Sequence, residues 1–150
     1  MGKMKIVEIK KRDRKTLNNL LILWENSVRS THTFLEEDDI KRIKSYVPLA
    51  LSSVQHLFVS YSDNGKITAF IGIEDKRIEM LFVSTEERNK KIGSTLIKFV
   101  TNNYHVNEVT VNEQNIMAVG FYEHIGFKTY KRSDTDEEGN PFPLLYMKLA

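Results

Sequence analysis

Ile78-Glu79-Met80-Leu81-Phe82-Val83 runs through a short polar loop into Arg88-Asn89-Lys90-Lys91-Ile92-Gly93-Ser94-Thr95-Leu96. An apolar strand here leads through that loop into a helix, with two lysines and a glycine in the predicted first turn. A helix N-terminus carries unpaired N–H groups and a partial positive charge. Acidic residues normally sit there, so Lys90 and Lys91 oppose the dipole unless an anion offsets them. Gly93 removes a side chain where backbone can approach a ligand closely. These residues fit two readings, a phosphate-binding turn or an ordinary solvated helix start. Two sharper alternatives fail on spacing: neither G-x-x-x-x-G-K-[ST] nor G-x-G-x-x-G is present.

A length of 150 residues predicts one domain over residues 1–150. Upstream, 4–9 reads as a strand and 14–30 as an amphipathic helix carrying Leu17, Leu20, Leu21, Trp24 and Val28, with Asp13 or Thr16 as its cap. A break at 31–35 precedes a helix over 36–52, which Pro48 is expected to end or bend. Strands at 54–61 and 66–73 flank Asn64-Gly65, a hairpin signal, and a further turn leads into 77–83. Downstream, a helix from Ile92 to about Asn103, a strand at 106–111 and a helix at 115–124 stopped by Gly126 follow in order. Residues 127–132 and 144–149 close the chain as a hairpin around a polar loop. The expected class is α/β (α+β): about four helices flank a mixed, mostly antiparallel sheet of about seven strands, with a right-handed parallel crossover after 77–83.

Composition excludes several chemistries. With no cysteine, a thiolate nucleophile, a thiolate metal site and a disulfide are ruled out. The four histidines lie far apart without an H-E-x-x-H pattern, so no metal is expected. A net charge of +2 argues against a dedicated nucleic-acid partner, and Lys10-Lys11-Arg12-Asp13-Arg14-Lys15 reads best as a solvated connection. No apolar run spans a bilayer and no signal peptide is visible, so a cytoplasmic protein without membrane partners is expected.

A second block lies about twenty residues on: Asn115-Ile116-Met117-Ala118-Val119-Gly120-Phe121-Tyr122-Glu123-His124-Ile125-Gly126-Phe127. Arg88 and Gly93 match the Q/R-x-x-G-x-G/A element, and the second block matches N-x-x-A-x-x-x-Y-x-x-x-G-F, of the GNAT superfamily of acetyl-CoA-dependent N-acetyltransferases, which the chain resembles. Likeness to its bacterial YjaB-type branch extends to Thr31-His32-x-Phe34-Leu35, to Val111-Asn112-Glu113-Gln114-Asn115 and to Gly139-Asn140-Pro141-Phe142-Pro143-Leu144-Leu145, and so covers nearly the whole chain. The departure is Lys91, where the family prefers glycine.

The resemblance implies a GNAT-like sheet splayed between strands 4 and 5, with acetyl-CoA as acetyl donor in the notch. Leu81, Phe82 and Val83 would bind the acetyl carbonyl and pantetheine through backbone groups. Arg88, Asn89, Lys90, Lys91, Ile92, Gly93 and Ser94 would wrap the pyrophosphate, and Asn115 and Tyr122 would line the thiol end. The acceptor, an amine not identified by the sequence, would meet His32 and Phe34, with Asn112 beside it. The protein would act as a monomer or homodimer.

Amide formation needs a neutral amine, a stabilised oxyanion and a proton for the leaving thiolate. A lysine-like amine with pKa near ~10.4 must first lose a proton, which calls for a general base. Glu79 is the first candidate, placed by period-two alternation on one face with Leu81 and Val83. Glu113, His32 and a water chain remain open. Tyr122 occupies the family's tyrosine position, and a phenol with pKa near ~10 is suited to reprotonate the thiolate. The alternative is a non-catalytic acyl-CoA-binding or sensing module.

Overall fold

A computed structural model describes residues 4–87 and 91–149. It opens with β1 (Lys5–Glu8) and α1 (Arg14–Thr31). Asp13 caps α1: its Oδ1 accepts from the Thr16 N–H at 2.9 Å, which satisfies one of the helix's orphan donors. Leu20, Leu23, Trp24 and Val28 recur on one face of α1 and are buried there. α2 (Glu37–Ser53) carries Glu37, Asp38 and Asp39 in its first turn, where the dipole favours them.

Pro48 does not end α2, one of the two outcomes expected of it: the helix runs on to Ser53, one residue past the limit read from the sequence. An interior proline forfeits a backbone bond at a cost of about 3 kcal/mol. Val47 and Leu51, on either side of Pro48, are buried, and apolar burial of about 1.5–3 kcal/mol per large side chain offsets that loss.

β2 (His56–Tyr61), β3 (Ile67–Glu74) and β4 (Arg77–Val83) form an antiparallel meander. In the β2–β3 turn the Gly65 N–H bonds the Ser62 carbonyl at 2.9 Å, with Gly65 at φ +80°. A single 3-10 turn, Thr85–Glu87, follows β4. Then come α3 (Ile92–Tyr104), β5 (Glu108–Asn112), α4 (Ile116–Ile125), β6 (Phe127–Ser133) and β7 (Leu144–Leu149). The sheet order is β1-β2-β3-β4-β5-β7-β6. One core packs α1 and α2 on the sheet through Leu20, Trp24, Leu51 and Phe70. The other packs α3 and α4 on it through Leu96, Ile97, Tyr122 and Phe127.

Two irregularities in β4 set the geometry on its β5 side. Its parallel ladder with β5 holds only at Arg77↔Glu108 and Ile78↔Val109. Beyond those pairs β4 continues beside β3 to Val83 and β5 continues beside β7 to Asn112, so the sheet splays. The second is a bulge. Ile78 pairs with Ile73 while Met80 pairs with Gly72, which leaves Glu79 as the extra residue. Gly72 is required here, since a Cβ on it would lie 2.8 Å from Met80 Cγ.

The bulge sets two consecutive residues, Ile78 and Glu79, against one partner position. Ile78, Leu81 and Val83 join the α3/α4 core, whereas Met80 and Phe82 join the opposite one. Strict alternation would have put Ile78 with Met80; the bulge breaks the count between them, and from Met80 to Val83 the alternation holds. No helix among the described residues is long and apolar enough to cross a membrane.

Candidate active site

Where β4 and β5 part, a cleft of about 850 Å³ opens between the C-terminal end of α1, β4, the start of α3 and α4. Its size falls within the ordinary range for small-molecule sites. Of the residues singled out from sequence, His32, Leu81, Phe82, Val83, Lys91, Ile92, Gly93, Ser94, Asn115 and Tyr122 line it. Arg88, Asn89 and Lys90 lie outside the described residues.

Lys91 is the N-cap of α3, not part of its first turn as the sequence suggested, and it adopts the left-handed conformation at φ 61° and ψ 21°. This gives the family's glycine preference a physical cause, since a β-carbon in that region costs about 1–2 kcal/mol. The Lys91 carbonyl accepts from the Thr95 N–H at 3.1 Å, the Ser94 hydroxyl at 3.1 Å and the Thr95 hydroxyl at 2.8 Å. The N–H groups of Ile92, Gly93 and Ser94 have no acceptor within the helix. No acidic residue sits in this first turn, and Lys91 and Lys98 also line the cleft. The arrangement suits a phosphate group.

Gly93 has a reason beyond ligand approach. A Cβ there would lie 3.2 Å from Phe121 Cζ and 3.8 Å from Val83 Cγ2, so the glycine lets α3 start close against α4 and β4. Phe121 also lines the cleft, with ring centroids 5.3 Å from Tyr122. Tyr122 is 6% exposed and meets Phe127 edge-on at 5.5 Å. Burial pushes its phenol pKa well above the ordinary value, so it stays protonated at any working pH.

The α1 side of the cleft is aromatic. His32 lies 5.4 Å from Phe34 and 6.3 Å from Phe82 between ring centroids, and Trp24 meets Phe82 at 6.5 Å. Phe34 packs onward against Phe142 at 6.3 Å and does not line the cleft. Burial pushes the His32 imidazole down to about 4, so it is neutral at physiological pH. Its Nδ1 lies 2.8 Å from the Thr31 hydroxyl, and its Nε2 lies 3.3 Å from Asn115 Nδ2. Asn115 Oδ1 accepts from the Ala118 N–H at 3.2 Å and caps α4.

Asn112 is engaged in turn chemistry. Its Oδ1 accepts from the Gln114 N–H at 2.9 Å and its carbonyl from the Asn115 N–H at 3.0 Å. Glu113 is held by Arg132 at 2.6 and 3.0 Å, which draws its pKa down. Glu79 is exposed and outside the cleft lining, at the bulge where the strands part. Protein atoms around its carboxyl raise its pKa; Arg77 opposes the rise, and Glu137 and Glu74 add to it. Sequence reasoning missed Ser27, Met117 and Phe121 as lining residues. The spacing of Ser27 and Thr31, one helical turn apart, was the available signal.

The family profile described as "Acetyltransferase (GNAT) domain" matches residues 28–149. The chain belongs to the GNAT acetyltransferase family. It is therefore an N-acetyltransferase, with acetyl-CoA as the family's donor. It is 30% identical over 140 residues to the peptidyl-lysine N-acetyltransferase YjaB of Salmonella typhimurium, covering 93% of this chain and 96% of that protein. The apo-form solution structure of Escherichia coli YjaB superposes with a TM-score of 0.88 at 27% identity, covering 99% and 98% of the two chains. The PaiA N-acetyltransferase of Thermoplasma acidophilum, solved in complex with coenzyme A, shares the fold with a TM-score of 0.69 at 21% identity, covering 97% and 99%.

The cleft fits an acyl-CoA by its own chemistry. Lys91, Lys98 and the open α3 N-terminus offer a charged end for phosphate, and Leu81, Val83, Phe121 and Tyr122 offer an apolar end for the pantetheine and acetyl groups.

Proposed function

We propose that this N-acetyltransferase acetylates a peptide lysine amine, with Tyr122 as general acid. The observation that carries the Tyr122 role is a buried phenol lining the cleft, its pKa raised by burial so that it holds its proton until a strong base forms. The lysine acceptor is supported by 30% identity to relatives named as peptidyl-lysine acetyltransferases over nearly the full length of both chains.

The first turn of α3 and Lys91 hold the pyrophosphate by N–H groups and charge. Past Ile78, β4 has no ladder partner on its β5 side, so backbone groups at Leu81–Val83 are open to receive the donor's amides and the developing oxyanion. Bound there, acetyl-CoA supplies the activated acyl group. Tyr122 donates its proton to the departing sulfur. The aromatic side chains near the end of α1 receive the acceptor's aliphatic stem. Glu79, with its raised pKa at the mouth of the splay, takes the ammonium proton through water.

The test is thiol release from acetyl-CoA with a panel of lysine peptides, comparing wild type with Tyr122→Phe. In the variant kcat should fall about 10²-fold or more, within the usual range for loss of a general acid, with acetyl-CoA affinity unchanged. Unchanged turnover removes Tyr122 from the chemistry. If acetyl-CoA raises Tm but no amine releases CoA, the peptide-lysine assignment fails.

A further inference from the structure

A chain of polar contacts crosses the cleft from α1 to α4. The Thr31 hydroxyl donates to the Ser27 carbonyl at 2.7 Å. Its one proton is thereby committed, so toward His32 Nδ1, at 2.8 Å, it acts as acceptor. His32 then carries its proton on Nδ1 and leaves a lone pair on Nε2. The other end of the chain leads to the same tautomer. Asn115 Oδ1 is spent on capping Ala118 N–H, which turns the amide Nδ2, a donor, toward His32 Nε2 at 3.3 Å. A proton on Nε2 would set donor against donor.

We infer that His32 is a positioning residue for acetyl transfer: as the Nδ1–H tautomer it clamps Asn115, and with it the start of the helix that carries Tyr122, to the end of α1 across the cleft. The inference rests on the acetyl-transfer site described above. It gives His32 a role separate from acceptor binding. The cleft lies where the β4–β5 ladder has stopped, so backbone pairing no longer sets the distance between its two sides. His32 and Asn115 supply a side-chain link instead. Phe34 and Phe82 pack against the imidazole and hold the ring plane. Tyr122 lies on the same helix, two turns beyond the cap. A shift of the cap therefore moves the phenol relative to the strand that presents the donor, and a displacement of about 1 Å can cost on the order of 10²-fold in rate.

The experiment compares His32→Leu, His32→Gln and wild type. Leucine keeps bulk and loses the acceptor. The glutamine Oε1 reaches the place of Nε2 and accepts from Asn115. The expected result is a kcat lowered at least about tenfold in His32→Leu, with acetyl-CoA Kd and Tm little changed, and most of the loss recovered in His32→Gln. Long-range nitrogen–proton NMR on wild type should report protonated Nδ1 and bare Nε2, a readout that does not depend on folding of the variants.

An unchanged kcat in His32→Leu, a glutamine no better than leucine, or a proton found on Nε2 would overturn the inference. Failure of the Tyr122 assignment is read separately. There, Tyr122→Phe retains full turnover while His32→Leu does not, and the clamp stands on Asn115 alone.

Discussion

His32 Nε2 and Asn115 Nδ2 lie 3.3 Å apart, although 83 residues separate them in the chain. One belongs to the segment that follows α1, the other caps α4. The sequence motifs assign the first to the acceptor and the second to the donor, so this contact joins the two halves of the site.

Asn115 has two separable duties. Asn115→Ala loses the α4 cap and should cost about 1 kcal/mol of stability. Asn115→Ser keeps a capping hydroxyl but is too short to hold His32. We expect serine to restore Tm in thermal unfolding and leave kcat impaired. Recovery of both together would mean that the cap alone matters.

His32 makes stability depend on pH in mild acid. Its folded pKa is lowered from 6.5 to about 4, so below about pH 6.5 the unfolded chain binds a proton that the folded chain refuses. The unfolded state then carries more protons, and stability falls as pH drops, by at most roughly 3 kcal/mol once pH passes the folded value. Urea unfolding at pH 7 and pH 5 should register part of this loss, and His32→Gln should reduce it. Down to pH 5 the loss is separate from that of Glu25, Glu37, Glu86 and Glu113, whose lowered pKa values place their contribution below 4.5, while Glu79, raised above 4.5, opposes it in the same window.

Lys91 sits at φ 61°, a conformation glycine adopts without penalty. Lys91→Gly should raise stability by up to about 1 kcal/mol, the left-handed cost less glycine's extra chain entropy. The same change removes a cation from the cleft. Acetyl-CoA affinity should fall, and its dependence on salt should weaken, measured by calorimetry at two ionic strengths. Unaltered affinity and salt dependence would mean that the Lys91 charge does not meet the phosphates.

Gly93→Ala would ordinarily gain about 0.8–1 kcal/mol in a helix. Here the new methyl meets Phe121 Cζ at 3.2 Å, so the gain should be cancelled. In a Phe121→Leu background, with the ring gone, the same substitution should stabilise. Equal effects in both backgrounds would show that the ring moves aside freely.

Much of the molecule is legible in its residue order. Leu20, Trp24 and Val28 announce α1 by spacing, and all three are buried where the period says. Gly126 stops α4 at φ 120° as its place after His124 and Ile125 suggests. The motif residues Asn115 and Tyr122 do line one cleft. Pro48 does not stop α2, because its local cost is outweighed by burial of Val47 and Leu51. The bulge at Glu79 left no sign in the sequence, because Gly72 opposite Met80 announces it only once the strands are paired. Phe121 escaped notice because its contact with Gly93 joins two helices.

What the sequence determined alone is what short-range physics encodes. Periods of two and 3.6, caps, turn residues and the two motif blocks depend on neighbours within a few positions. Tertiary structure alone decided where along β4 the expected splay begins, just after Ile78, that Lys91 turns left-handed, and that His32 meets Asn115. Each depends on residues far apart in the chain being brought together. A hydrogen bond across 83 residues leaves no periodic trace, and only the closing of the two cores around the sheet puts its donor and acceptor within reach.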